Sequence, residues 1–231
     1  MSHRADLFVW LVLPYASFAI FLAGHWWRYR HDQLGWTSRS SQLLESRLLA
    51  WGSTLFHYGA LGAIAGHVLG ILVPARTTEA IGISEHVYHD LAGIAGGTVG
   101  AICLIGYAIL AFRRTTVTRV RVTTTAMDVV VFALLGALIV LGVGETFGYN
   151  VFGSGYDYRR TVGPWFRSIW VDPQPGLMNR APIAYQVHAA LPWLLYAVWP
   201  FSRLVHVWSY PLQYLGRPAI LYRRRSAPAV R

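Results

Sequence analysis

Four of the nine histidines in the sequence lie in long apolar stretches, where an ionisable side chain is costly and by default indicates function. His57 and His67 belong to the stretch LFHYGALGAIAGH at 55–67, and His188 and His206 lie in an apolar stretch near the C-terminus. A single histidine of this kind is explained by a hydrogen bond between helices. Four of them, two on each of two stretches, favour metal binding.

The composition predicts that these histidines lie in a membrane. Of the 231 residues, 55% are hydrophobic and 13% are charged, against about 25% charged in an ordinary soluble domain. Five segments reach the roughly 20 residues of helix that a membrane crossing needs. They are residues 7–25, 48–73, 91–112, 126–147 and 182–208. We therefore predict an all-α integral membrane protein, a single domain over 1–231 built as a five-helix bundle.

The arginines predict the orientation of this bundle. They cluster in segments 26–47 and 113–125 and in the tail after 208, which favours cytoplasmic loops over a nucleic-acid-binding role for the net charge of +10. The N-terminus is then outside and the C-terminus cytoplasmic, and residues 148–181 form the long external loop. Thr125 and Asp128 have the spacing of a capping box, which marks the start of the fourth helix.

The antiparallel arrangement of the second and fifth segments predicts which histidines face each other. His57 and His206 lie toward the cytoplasm, and His67 and His188 toward the outside. Ten residues separate the first two histidines and eighteen the last two, which is about 15 Å and about 27 Å of straight helix. The mismatch must be absorbed by helix tilt or by kinks at the two prolines of the last segment.

Two neutral imidazoles on facing helices can bind a haem iron from both sides. Two such pairs predict two b-type haems stacked across the membrane. Zinc is disfavoured because neither segment supplies a third or fourth ligand nearby. The sequence has no C-x-x-C-H, so covalent c-type haem is excluded, and the single cysteine, Cys103, is interpreted as a small buried hydrophobic residue.

Two further features lie near the predicted haems. Gly62, Gly66 and Gly70 recur every four residues, which indicates close helix packing, room for a flat macrocycle, or both. A polar segment with His86, Tyr88 and His89 follows the second predicted helix. A pocket beside the outer haem explains that segment better than a separate metal site does.

The sequence resembles the gamma subunit of respiratory nitrate reductase, the membrane cytochrome b that oxidises quinol. The resemblance rests on stretches that cover nearly the whole chain apart from the external loop. They are GHWWRYRHDQLGWTSRSSQ (24–42), LFHYGALGAIAGHVLG (55–70), AGGTVGAICLIG (95–106), RVRVTTTAMD (119–128) and HAALPWLLYAVWPFSRLVHVWSYPLQYL (188–215).

The resemblance implies five helices in a bacterial cytoplasmic membrane and two haem b groups with bis-histidine ligation. His57 and His206 would bind the proximal haem, and His67 and His188 the distal haem. It also implies two cytoplasmic partners, an iron–sulfur beta subunit and a molybdenum-containing alpha subunit that reduces nitrate. Quinol, with menaquinol as the expected form, would be oxidised near the distal haem.

The resemblance also assigns site residues. The expected quinol-site residues are Gly66, His67, Tyr88, His86 and His89; a lysine that the family has in this segment is absent here. The expected partners of the inner haem propionates are Arg113, Arg114 and Arg203, by bidentate guanidinium–carboxylate geometry. Ordinary positive-inside charge is the alternative explanation for the first two.

Other functions stay open at this point. A related di-haem subunit of a sulfite or heterodisulfide reductase would share the fold and the histidines. A small transporter or proton channel could use the histidines as relays, although no inverted repeat supports it. A haem-free membrane anchor is the third alternative.

Overall fold

The computed structural model describes residues 3–153 and 155–209, and all regular structure within these ranges is helical. Within them, four helices are long and apolar enough to cross a membrane. They are α1 (Arg4–His31), α2 (Arg47–Leu72), α3 (Glu85–Thr116) and α4 (Ala126–Val151). The all-helical, multi-pass character predicted from composition is confirmed. The arginines of the tail beyond residue 209 lie outside the described residues, and the orientation stays a prediction.

Side-chain caps determine where two of these helices begin. Thr125 and Asp128 form the predicted capping box, with each side chain accepting from the other residue's backbone N–H at 3.2 and 3.0 Å. The Ser84 hydroxyl accepts from the N–H of Val87, so α3 begins at Glu85 and not near the predicted residue 91. The segment expected to connect two helices is therefore the first turn of α3. The connection itself is the short helix Ala75–Ala80.

The last apolar segment differs most from its prediction. Its regular α-helix, α5, runs only over Ile183–Val198, fewer than the roughly 20 residues that an unbroken crossing needs. Two 3₁₀ stretches follow, Trp199–Phe201 and Arg203–Ser209, separated by an extended residue, Ser202. Pro200 lies at this break and has no N–H to continue the helical ladder. The predicted helix over 182–208 is thus interrupted, and a fifth crossing stays a prediction.

Helices α2 and α3 pack with their backbones in close approach. A Cβ atom added to Gly59 would lie 2.6 Å from the Cα of Cys103, and one added to Gly106 would lie 2.7 Å from the Cα of Phe56. Only glycine permits this separation. Cys103 is buried at the contact, in agreement with its interpretation as a small packed residue.

The predicted external loop is a folded cap. It contains the helix Val162–Ser168 and the 3₁₀ turn Pro175–Arg180, and its buried residues form one core with Trp10 of α1. The Trp165 indole N–H donates to the carbonyl oxygen of Trp10 at 3.1 Å, and the two rings meet edge to face. The cap therefore encloses one end of the bundle.

Candidate functional site

The structure brings the four apolar-segment histidines together as two facing pairs. The ring centroids of His57 and His206 lie 6.2 Å apart, and those of His67 and His188 lie 6.1 Å apart. Both pairs join α2 to the last apolar segment. The pairing derived from helix direction is the pairing that the coordinates show.

The separations match what two imidazoles need to share one metal ion. Each ligating nitrogen lies about 2.0 Å from the metal, and each ring is about 1.1 Å in radius. Two imidazoles on opposite sides of one metal ion therefore have ring centroids about 6 Å apart. Both pairs have this spacing. No cluster of three or more histidine, cysteine, aspartate or glutamate side chains that could hold a metal ion occurs among the described residues.

Hydrogen bonds at Nδ1 orient all four rings. Metal-binding histidines characteristically donate their other ring N–H to a carbonyl or carboxylate, which fixes the tautomer and the ring plane. The Nδ1 partners are Ser53 O (2.7 Å) for His57, Ala63 O (2.7 Å) for His67, Arg203 O (2.7 Å) for His206 and Glu145 Oε2 (2.8 Å) for His188. With the Nδ1 atoms engaged in this way, the Nε2 atoms are the ones available as ligands, and this arrangement fits bis-histidine haem.

The interruption after α5 resolves the mismatch between the two histidine spacings. His188 lies on α5, whereas His206 lies in the 3₁₀ stretch beyond Ser202. Because the chain leaves the α-helix at Val198, the eighteen residues between the two histidines no longer measure a straight helical length. The break at Pro200 lies between the two histidines, and the chain beyond it places His206 opposite His57.

His57 and His206, called the inner pair after the predicted orientation, line a cavity of about 410 Å³. That size is within the usual range of cofactor and ligand pockets, roughly 300–1,000 Å³. Its walls combine aromatic and basic side chains. They include Phe56, Tyr107, Phe132, Arg113, Arg114 and Arg203.

Asp128 connects two of the three predicted propionate partners. Its Oδ1 accepts from Arg203 Nε at 2.8 Å, and its Oδ2 lies 3.8 Å from Arg114 Nη1. The Arg114 guanidinium also lies over the Phe132 ring at 5.1 Å. Within the described residues the two terminal nitrogens of Arg203 form no hydrogen bond, so donors remain at the cavity for an anionic group.

Arg113 has a different role from the one predicted. Its buried guanidinium makes four hydrogen bonds, all to the segment before α2. The acceptors are Glu45 Oε2 (2.6 Å), Glu45 O (2.7 Å), Ser41 Oγ (2.9 Å) and Ser41 O (2.9 Å). With four of its five N–H donors committed, Arg113 holds this loop against α3, and the geometry does not support a propionate contact.

Glu45, the partner of Arg113, also caps α2. Its carboxylate accepts from the N–H groups of Leu48 and Leu49 at 2.8 and 3.2 Å. Desolvation opposes ionisation, but these donors and Arg113 outweigh it, so the pKa of Glu45 lies below its ordinary value. The loop is thereby tied to two helices at once.

His67 and His188, called the outer pair after the predicted orientation, have a carboxylate partner that the sequence interpretation missed. Glu145 is buried in α4, and its Oε2 accepts from His188 Nδ1. Gly142, one turn earlier, provides the space, since a Cβ there would lie 2.9 Å from His188 Cε1. The available signal was a single acidic residue at the end of an apolar segment, which is costly in a membrane.

The residues predicted for the quinol site are only partly brought together. Gly66 lies next to His67, and a Cβ there would meet nothing within 4 Å, so this side of α2 is open. Gly62 instead packs against Val99 of α3. Tyr88 is half-buried, and its ring lies under the guanidinium of Arg159 at 3.9 Å.

Arg159, from the external loop, is the second residue that the sequence interpretation missed. It is buried and donates to Glu85 Oε1 at 3.1 Å and to Thr78 Oγ1 at 3.0 Å. The neighbouring Tyr158 hydroxyl lies 3.4 Å from that of Tyr88, and burial, together with this contact, raises the pKa of Tyr158 above its ordinary value. A cation is thus present beside Tyr88, although the expected lysine is absent from that segment.

His86 and His89 do not share one environment. The His86 side chain is 86% exposed and pairs with Asp90 at 3.3 Å, whereas His89 packs near Gly155 of the external loop. Residues two apart on a helix point to different sides, so His86 and Tyr88 do not line a common pocket. The expectation that His86 and Tyr88 share one polar pocket is corrected for this reason.

The fold and the site together describe a multi-pass helical membrane protein with two facing histidine pairs. The family model for the nitrate reductase gamma subunit matches residues 6–225. The chain belongs to the nitrate reductase gamma subunit family. It is similar to the nitrate reductase gamma chain of Bacillus subtilis, at 45% identity over 94% of this chain and 98% of that protein.

Two other relatives have a lower and a higher sequence identity to this chain. Respiratory nitrate reductase 1 gamma chain of Escherichia coli is 35% identical over 95% of this chain and 98% of its own length. Nitrate reductase-like protein NarX of Mycobacterium tuberculosis is 48% identical over 94% of this chain. The chain spans only 33% of the length of that protein.

Proposed function

We propose that this chain is the membrane subunit of a respiratory nitrate reductase, which oxidises quinol on the outer side and sends the electrons to cytoplasmic subunits. The observation that carries the proposal is the spacing of the two histidine pairs, 6.2 and 6.1 Å between ring centroids. Family membership supports the same function. The partners would be an iron–sulfur beta subunit and a molybdenum-containing alpha subunit.

Two b haems would supply one-electron transfer across the membrane when bound. His57 and His206 would hold the proximal haem, and His67 and His188 the distal haem. Their Nδ1 hydrogen bonds hold the rings in fixed planes, so that the Nε2 atoms are pre-organised for ligation. Arg203 and Arg114 would bind the propionates of the proximal haem, because both line the inner cavity and share only one carboxylate, Asp128.

Oxidation of one quinol releases two electrons and two protons, and the proposed site is at the outer end. The open side of α2 at Gly66, beside His67, provides a place for a flat ring. Tyr88 would act as a hydrogen-bond partner of a quinol hydroxyl, with its ring held in position by Arg159. Released protons would leave on the outer side while electrons move inward.

The cytoplasmic partners would dock at the opposite end of the bundle. Exposed arginines there lie in the segments that connect α1 to α2 and α3 to α4, and at the ends of α1 and α2 that adjoin them. They include Arg30, Arg39, Arg47, Arg119 and Arg121. A basic face of this kind attracts an acidic partner surface and speeds its association.

The experiment is isolation of the full chain from native membranes with whatever accompanies it, followed by a reduced-minus-oxidised spectrum. We expect b-type bands with two haems per chain, and co-purifying subunits that contain molybdenum and iron–sulfur clusters. A flat spectrum would refute the haem assignment and favour a transporter or an anchor. Haem without the molybdenum subunit would instead favour another di-haem reductase.

A further inference from the structure

We propose that Glu145 is a positioning residue for the distal site, which lowers the reduction potential of the distal haem through its hydrogen bond to His188. The inference rests on the proposed function, because it concerns the haem that His67 and His188 would hold. It assigns a role to a buried carboxylate that neither the family resemblance nor the sequence interpretation had used.

The first observation is an asymmetry between the four ligands. His57, His67 and His206 donate to neutral backbone carbonyl groups, whereas the Nδ1 partner of His188 is the Glu145 carboxylate at 2.8 Å. When Nε2 binds iron, the ring proton must be at Nδ1. An anionic acceptor there makes the imidazole a more basic ligand than a carbonyl acceptor does.

The second observation is that the packing of α4 buries the Glu145 carboxylate beside His188. The Glu145 side chain is only 8% exposed. Gly142, three residues earlier and on the same helical face, is the position where a side chain would collide with His188. Gly142 thus leaves space for the imidazole of His188, and Glu145 accepts its Nδ1 hydrogen bond. Two residues of α4 therefore fit this ring, which indicates a specific contact.

The third observation is that no arginine among the described residues forms an ion pair with Glu145. Asp128, the buried acidic residue at the inner cavity, and the partly buried Glu45 each lie within 4 Å of an arginine. Among the described residues Glu145 pairs only with His188, and its Oε1 is buried without a partner. An uncompensated buried anion is costly. Ferric iron bound to His188 would bring positive charge close to Glu145 and would compensate it.

The direction of the effect follows from charge. Reduction adds one electron and removes one positive charge from the iron site, so the anion stabilises the oxidised form more than the reduced form. A neutral residue of the same shape should therefore make the distal haem easier to reduce. The other three ligands, with their carbonyl partners, should be unaffected.

The test is Glu145→Gln in membranes that contain the full chain and its partner subunits. Glutamine keeps the shape and can still accept from Nδ1, so both haems should be retained. We expect the reduction equilibrium of the distal haem to shift about tenfold toward the reduced form, which is about 59 mV for one electron. Glu79→Gln, the same substitution at an exposed position, is the matched control and should move neither potential.

The readouts are haem content, a redox titration that resolves the two haems, and the low-spin ferric resonance of each haem. An unchanged distal potential in Glu145→Gln with both haems present would overturn the inference and leave the proposed function intact. A wild-type chain without haem would overturn the proposed function itself.

A second variant covers loss of the distal haem in Glu145→Gln. Glu145→Asp keeps the charge on a shorter side chain, and it should then retain the haem with a low potential, which supports the positioning role. If the distal haem is lost from both variants while the inner haem and the partner subunits stay bound, Glu145 is needed for folding of the site and not for its potential. That result would overturn the inference.

Discussion

The guanidinium carbon of Arg159 lies 3.9 Å from the ring centroid of Tyr88. This contact joins the external loop to the first turn of α3, close to where the quinol site is proposed. It also places a cation beside the segment in which the expected lysine is absent. The cap is therefore a candidate part of the site and not only a cover for it.

Loss of either inner histidine should remove one haem. In His57→Ala or His206→Ala a single imidazole is left, and it cannot hold six-coordinate low-spin iron. Haem per chain, measured by pyridine haemochrome against protein, should fall from two to one. His31→Ala, which alters an exposed histidine, should leave two, and two firmly bound haems in His57→Ala would refute the ligand assignment.

Loss of the distal ligand His67 should separate two activities. His67→Ala should abolish quinol-driven nitrate reduction, because the distal haem and the adjoining quinol site are lost. Reduction driven by a reduced viologen should persist, since that donor reaches the cytoplasmic subunits directly. Both activities and the haem content are measured on the same membranes. Normal quinol turnover without the distal haem would place the quinol site at the inner end.

Removal of the Tyr88 hydroxyl should slow quinol oxidation and leave both haems in place. Tyr88→Phe keeps the ring under Arg159 and removes one hydrogen-bond partner, worth about 1 kcal/mol, so turnover should fall roughly fivefold to tenfold. His86→Ala, at an exposed position on another side of α3, is the control and should be neutral. Equal effects of the two substitutions would argue against Tyr88 as a quinol ligand.

Arg113 should matter for stability more than for haem binding. Arg113→Gln breaks the ion pair with the partly buried Glu45 and several further hydrogen bonds of Arg113, so the complex should lose about 1–3 kcal/mol of stability. Arg121→Gln, an exposed arginine beyond the same end of α3, should be silent. Heat denaturation in detergent and protease sensitivity of residues 38–46 measure the difference. An altered haem spectrum with unchanged stability would restore the propionate role.

Two glycines on α3 provide a matched pair for helix packing. Gly106→Ala forces a Cβ against the backbone of Phe56, whereas at Gly93 a Cβ would meet nothing within 4 Å. The first substitution should cost about 1–3 kcal/mol through overpacking, and the second should be nearly neutral. The measurement is the melting temperature of each purified variant. Equal melting temperatures would mean that α2 and α3 are not in backbone contact.

The sequence by itself determined the class of fold and the pairing of the histidines. Apolar runs and arginine clusters are properties of composition, and they suffice to predict a helical membrane protein. Because helix direction alternates across a membrane, chain order alone placed His57 opposite His206 and His67 opposite His188. The Thr125–Asp128 capping box is equally local, since its hydrogen bonds span one helical turn.

Only the tertiary structure decided which distant side chains meet. Glu145 reaches His188, Arg159 reaches Tyr88 and Arg113 reaches Glu45 across separate segments, and no local pattern encodes those contacts. They depend on the angle and register with which helices pack and on where α5 breaks at Pro200. Apolar periodicity and charge clusters constrain one helix at a time, whereas the partner of a buried charge is selected by the geometry of the whole bundle.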